Sequence, residues 1–294
     1  PLLGVVLALK GGTAFNLCFG PPKRLSVDLD YNYIGHLDRT DMLEARPVVE
    51  QAVVDLARRQ GYRVQQSADA FAGRKFYLFY RSALGPEDRI EVDLNFLFRM
   101  PIAGTERREL WQPGELDRPL VQVVSLEEIL IGKFLALLDR SAVRDAWDVA
   151  YPPLASTEAF KSIRFRRWFI ALSSILEHPL MTYTRERLEA GLTDQAIEER
   201  LAPLLTGVTA VRGELIEHAW GNLAKFLTLD PDEEGFIAAV HQGELRPELL
   251  FSQDPEEAGR IAGHPAILWK IQNVRNYLAR PSRPGKGAGS DKQR

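Results

Sequence analysis

Hydrophobic and polar positions along this chain follow two regimes. Up to about residue 153, short apolar runs and strict alternations dominate, whereas beyond it the spacing is helical. An apolar run of strand length at 5–9 is broken by Gly11-Gly12, and 13–19 fits two helical turns before Gly20-Pro21-Pro22. Over 26–33 the chain alternates: Ser26, Asp28, Asp30 and Asn32 take one face, and Val27, Leu29, Tyr31 and Tyr33 take the other. An amphipathic helix is predicted at 40–60, closed by Gly61. Strands follow at 62–66, 74–80 and 89–98, the last putting Glu91, Asp93 and Asn95 on one face.

The stretch 100–124 is rich in turn residues and leaves room for one short strand at 121–124. Ser125 and Glu128 then match a capping box for a helix running to about Asp139. A break at Arg140-Ser141 leads into a second helix at 143–150, stopped by Tyr151-Pro152-Pro153. Helices are predicted downstream at 157–177, 184–190, 193–205, 211–227, 231–242, 255–263 and 265–279. The expected fold is therefore α+β: a mixed-sheet domain over 1–152, a mainly helical domain over 153–280 and a disordered tail over 281–294.

The alternation at 26–33 has chemical content. Carboxylates two apart on a strand point the same way, about 7 Å between Cα atoms, so Asp28 and Asp30 suit one or two Mg2+ or Mn2+ ions. A third carboxylate from a neighbouring strand would complete a two-ion site. Asp93 is the choice and Glu91 its competitor, although a sheet with one wet face produces the same pattern. Gly11 and Gly12 remove side chains where backbone N–H groups would approach a triphosphate at a helix start. Gly11, Gly12, Thr13 and Ser26 are thus the expected phosphate cradle, with Lys10, Arg24 and Lys133 offsetting its charge. Lys133 lies in an otherwise apolar stretch, and its alternative is a lysine snorkelling from the edge of the core. On one unbroken helix Lys133 and Asp148 would be about 22 Å apart. Only a reversal near Arg140 could bring them together.

Composition narrows the classes. At 294 residues there is length for one large or two ordinary domains, and a net charge of −3 leaves any nucleic-acid surface to a local patch. The single cysteine, Cys18, rules out an internal disulfide and a Cys-based zinc site, and the histidines lack metal-ligand spacing. No signal peptide or apolar run of transmembrane length is present, which predicts a cytoplasmic protein without a membrane partner. Pro1 stands almost inside the first predicted strand, so a preceding segment is expected. Lys161, Arg164, Arg166, Arg167 and Trp168 form a basic-aromatic cluster suited to RNA, or else a charged helix edge with the tryptophan in the core. His264, beside Pro265, reads as a capping or core histidine.

Two segments, KGGTAFNL…RLSVDLDY at 10–31 and K-x-x-A-L-x-x-R…R-D-x-x-D at 133–148, carry a resemblance. Together they resemble the nucleotidyltransferase superfamily in the form of the AbiEii/AbiGii toxin family. The likeness covers most of 3–277 and is most specific in those two segments. It implies a toxin of a two-gene toxin–antitoxin or phage-defence system, with a cognate antitoxin as partner. It also implies that Lys133 and one aspartate, Asp145 or Asp148, belong to the active site, and that tRNA is the acceptor. The expected reaction moves a nucleoside monophosphate from an NTP to a hydroxyl and releases pyrophosphate, with one ion activating the attacking oxygen and a second stabilising the leaving group. The competing readings are a catalytically silent nucleotide- or partner-binding module, transfer to a protein or small molecule, and GTP binding or phosphotransfer. The absence of G-x-x-x-x-G-K-[ST] weighs against P-loop chemistry.

Overall fold

The computed structural model describes residues 2–279; the predicted tail at 281–294 lies outside them. The first half runs α1 (Leu3–Val6), β1 (Leu7–Lys10), α2 (Gly11–Cys18), β2 (Leu29–Tyr33), α3 (Arg39–Arg59), β3 (Arg63–Gln66), β4 (Gly73–Arg81), β5 (Glu87–Asn95), β6 (Thr105–Glu109), β7 (Leu120–Val124), α4 (Leu126–Arg140) and α5 (Val143–Ala150). The second half is helical: α6 (Ser156–Ala159), α7 (Ile163–Ser173), α8 (Arg185–Gly191), α9 (Asp194–Arg200), α10 (Arg212–Leu223), α11 (Pro231–His241), α12 (Pro255–Ala262) and α13 (Pro265–Leu278), with four short 3-10 turns. Among the described residues seven strands make one mixed sheet in the order β3-β4-β5-β2-β1-β7-β6. Among the described residues no helix is long and apolar enough to cross a membrane.

Four expectations need correction. The run at 5–9 becomes a strand only from Leu7, because Leu3–Val6 coil into one helical turn; a short apolar run does not distinguish the two forms. The alternation at 26–33 becomes a strand only from Leu29. β1 ends at Lys10, where Gly11 (φ 68°) turns the chain into α2, so residues before Leu29 have no β1 partner. Arg24 bridges Leu205 instead, and the Leu25 N–H donates to the Leu204 carbonyl at 2.7 Å. The predicted helix at 157–177 is two, because Ser162 caps α7 by accepting from the Phe165 N–H at 3.3 Å. The capping box at α4 is only half formed. Ser125 Oγ accepts from the Glu128 N–H, but the Glu128 carboxylate accepts from the Ala103 N–H at 3.0 Å.

Two apolar clusters flank the sheet. Val49, Val53 and Val54 of α3 join Phe76, Val92, Leu94 and Phe96 on the face opposite Glu91 and Asp93. The larger cluster runs without interruption from Ala8 through α4 and α5 to Ile271. At its centre the Phe134 ring meets Phe160, Phe165, Phe169 and Phe226, with centroids 5.4 to 6.3 Å apart. The sheet part and the helical part therefore share one core across residue 152.

Candidate active site

Strand register builds the first wall. Lys10 of β1 lies opposite Asp30 of β2, Asp30 opposite Asp93 of β5, and Asp93 opposite Lys75 of β4. Residues in register face the same side of a sheet, so these four form a row across four strands. The row floors one side of a cleft of about 670 Å³, which Asp28, Glu91, Gly11, Gly12, Arg24 and Ser26 also line. The opposite side comes from α4 and α5, with Lys133, Arg140, Arg144 and Asp145, and from the end of α7.

The two glycines are needed for a reason other than the one sequence suggested. A Cβ on Gly11 would fall 2.1 Å from Asp30 Oδ2, and the residue also has positive φ. A Cβ on Gly12 would fall 2.7 Å from Ser26 Oγ and 3.0 Å from Arg24 Nη2. The space is thus taken by the protein's own polar side chains, which lean on the bare backbone. Thr13 is buried and does not line the cleft; its hydroxyl donates to the Asp28 carbonyl, bracing that residue from behind. Its expected place in the phosphate cradle is not where the fold puts it.

The second wall depends on a reversal. Ser141, in the left-handed conformation (φ 47°), ends α4 and lets α5 fold back. Lys133 Nζ then reaches Asp148 Oδ2 at 2.7 Å and Asp145 Oδ1 at 3.6 Å. With its side chain only 9% exposed and its ammonium against two carboxylates, Lys133 is not a snorkelling lysine. Asp148 is fully enclosed. Arg24 grips it from Nε (2.8 Å) and Nη2 (2.6 Å), and Asn16 Nδ2 donates to it at 3.3 Å. Arg24, expected to meet phosphate, therefore spends its fork on Asp148. Asp145 lines the cleft and accepts from Arg140 Nε at 2.7 Å. The two aspartates divide the work: Asp148 anchors Lys133 from the core side, and Asp145 meets it from the cleft.

Electrostatics mark the carboxylate wall. Burial raises the Asp28 pKa; Arg144 at 3.7 Å works against this, while Glu91 and Asp30 add to it. Burial likewise raises Asp93, offset by Lys10 and Lys75. Burial would also raise Asp148, but Lys133 and Arg24 overcome it and hold that carboxyl below its ordinary value. Glu128, which lines the floor, is pushed up to about 7 by burial. Among the described residues no three His, Cys, Asp or Glu side chains form a ready-made metal cage. Magnesium usually takes one or two carboxylates and completes its shell with water and substrate phosphates. Asp28 and Asp30 fit that pattern, since Asp28 stands among like charges that a divalent cation would relieve.

Elsewhere the expected RNA patch dissolves. Arg166 forms a bidentate pair with Glu233 and donates to the Lys225 and Thr228 carbonyls, and Arg167 donates to the Leu250 carbonyl. Lys161 pairs with Glu158, Arg164 approaches Asp254, and Trp168 Nε1 donates to Glu257 at 3.0 Å. The charged-edge reading is the one the fold adopts. His264 is a core histidine, 0% exposed, its pKa lowered to about 4 by burial. The sequence gives no sign that Lys75 and Asn16 belong to the site, and it offers Glu128 only as a capping residue. Lys75 was legible only as one position of a predicted strand, and register, which single-sequence periodicity does not give, sets it beside Asp93.

Comparisons with known proteins bear on the family and the fold. Residues 1–220 match the family model described as nucleotidyl transferase AbiEii toxin, type IV TA system. Among curated proteins none matches the chain. Among solved structures it is similar to MenT4, a nucleotidyltransferase toxin from Mycobacterium tuberculosis H37Rv, at 19% identity and a TM-score of 0.56, over 87% of this chain and 84% of that one. At that identity the likeness speaks for the fold. With three-quarters of its length covered by the family model, the chain belongs to the AbiEii family of nucleotidyltransferase toxins of type IV toxin–antitoxin systems.

Proposed function

We propose that this toxin transfers a nucleoside monophosphate from an NTP to a hydroxyl of tRNA, using Mg2+ or Mn2+. The observation that carries the reading is the cleft itself: Asp28, Asp30 and Asp93 on one wall face Lys133 and Asp145 on the other, with Asp148 behind Lys133. The acceptor hydroxyl gives up its proton to solvent water as its oxygen bonds to the α-phosphorus, the bond from that phosphorus to the bridging oxygen of the β-phosphate breaks, and pyrophosphate leaves in line. Held by Asp28 and Asp30, the divalent ion would neutralise phosphate charge and favour the ionised acceptor hydroxyl. Lys133, held between Asp145 and Asp148, presents a fixed ammonium to the charge that builds on the phosphates. Lys10 and Arg144 add positive charge on either side, and Ser26 offers a hydroxyl above Gly12. Arg24 and Asn16 touch Asp148 and act through it as positioning residues.

Support for a polyanionic acceptor comes from the rim, where Arg140 and Arg144 side chains are 60% and 42% exposed. An antitoxin partner is implied by the type IV toxin–antitoxin family, and tRNA as acceptor is the expectation that the resemblance carries. The test is incubation with each α-labelled NTP, Mg2+ and total RNA, beside a lysate digested with ribonuclease. Label in the tRNA fraction, lost with Asp28→Ala, is expected. Label that survives ribonuclease, or an active Asp28→Ala variant, would overturn the assignment.

A further inference from the structure

The row across the sheet runs lysine, aspartate, aspartate, lysine: Lys75, Asp93, Asp30, Lys10. A two-ion site holds its metals about 3.5–4 Å apart and needs its carboxylates free to turn toward both. On this wall two of the four carboxylates are already engaged. Lys75 Nζ is hydrogen-bonded to Glu91 Oε1 and lies 3.6 Å from Asp93 Oδ2. Among the described residues Asp30 has no ion-pair partner within 4 Å, and Asp28 has only the 3.7 Å approach of Arg144. The acidic wall is thus divided in two, a half holding an ammonium and a half left open.

Charge counting points the same way. With Arg24 neutralised by Asp148, four carboxylates and two lysines on the sheet side leave two negative charges in excess, which one divalent ion balances. A second ion would have to draw Asp93 away from Lys75. An ammonium and a hydrated divalent ion both seek carboxylate oxygens, and the ammonium, covalently tethered to β4, pays little entropy to stay there.

We propose that Lys75 is a tethered cation in the place of a second metal ion, holding Glu91 and Asp93 so that Asp28 and Asp30 bind a single divalent ion. The inference rests on the transferase reading above. Lys75 is then a positioning residue whose charge sets how many ions the cleft accepts.

The test counts ions directly. The full chain, Lys75→Gln and Lys75→Arg are titrated with Mn2+ alone, and free Mn2+ is read by electron paramagnetic resonance. One ion per chain is expected for the unaltered protein and for Lys75→Arg, and two for Lys75→Gln. Two ions in the unaltered protein, or one in all three, would overturn the proposal. The count on the unaltered chain decides even if a variant fails to fold. If no form binds an ion, this inference and the metal in the proposed reaction both fall, while label transfer to tRNA is judged by its own assay.

Discussion

Lys133 and Asp148 set the terms at the scale of single residues. Lys133→Ala should lower turnover by about 10²–10³, the scale of losing one preorganised charge against a transition state. Lys133→Arg should rescue poorly, because a planar fork does not replace a compact ammonium between two carboxylates. Turnover and melting temperature measured on one preparation separate this from a stability effect. Asp148→Asn is a different kind of change. It leaves Arg24 and Lys133 buried without their shared anion, and breaking a buried pair this way costs about 3–5 kcal/mol. Because the folded pKa of Asp148 is depressed, its stabilisation is complete above the unfolded value and fades as pH falls through the folded one. Unaltered protein should therefore lose stability on acidification, and a chemical denaturation series in the variant should show a shallower loss.

Among the elements, α4 carries the most consequence. Its first turn buries Glu128 with a pKa raised to about 7, so between the unfolded value and 7 the folded chain binds the extra proton. Stability then falls as pH rises across that window, and Glu128→Gln should flatten the decline. Equal slopes in the two proteins, by denaturant melts at pH 5 and pH 7, would contradict this. The other end of α4 turns at Ser141, against which Gly191 of α8 packs: a Cβ there would come within 2.5 Å of Ser141 Cβ. Gly191→Val should lower both melting temperature and turnover although Gly191 lies outside the cleft. Unchanged turnover per folded molecule would mean that the turn does not set the Lys133–Asp148 distance.

Elements with strong local grammar were legible in the sequence: α3 by its stripe, β4 by a strand-like aromatic run, β5 by alternation, α4 and α5 by a cap and a break. β6 was not, because Thr105–Glu109 is a charged, exposed edge strand with no apolar period to read. The carboxylates Asp28, Asp30 and Asp93 and the pairing of Lys133 with the aspartates were legible from spacing and resemblance. Lys75, Asn16 and the enclosure of Arg24 were not, since each depends on contacts between distant segments that periodicity does not encode.

At the scale of the whole molecule, Arg166 shows what its basic cluster is for. It ties α7 to α11 through Glu233, which is 0% exposed. Arg166→Ala should destabilise the fold by about 3–5 kcal/mol, by leaving that carboxylate buried and short of its partner. It should leave the salt dependence of RNA binding unchanged, whereas a phosphate-contacting arginine would reduce that slope. Thermal melts and binding at two salt concentrations distinguish the outcomes.

The shared core around Phe134 also bears on when the toxin becomes active. Phe134 adjoins Lys133 on α4, yet one of the rings that enclose it, Phe226, is made more than ninety residues later. At roughly 5–20 residues per second, a ribosome would need several seconds to span that interval. Through that time the nascent chain carries the motifs of the cleft without the core that holds them in place. If the cleft needs that shared core to hold its shape, it would be completed only once synthesis of the helical half is well advanced.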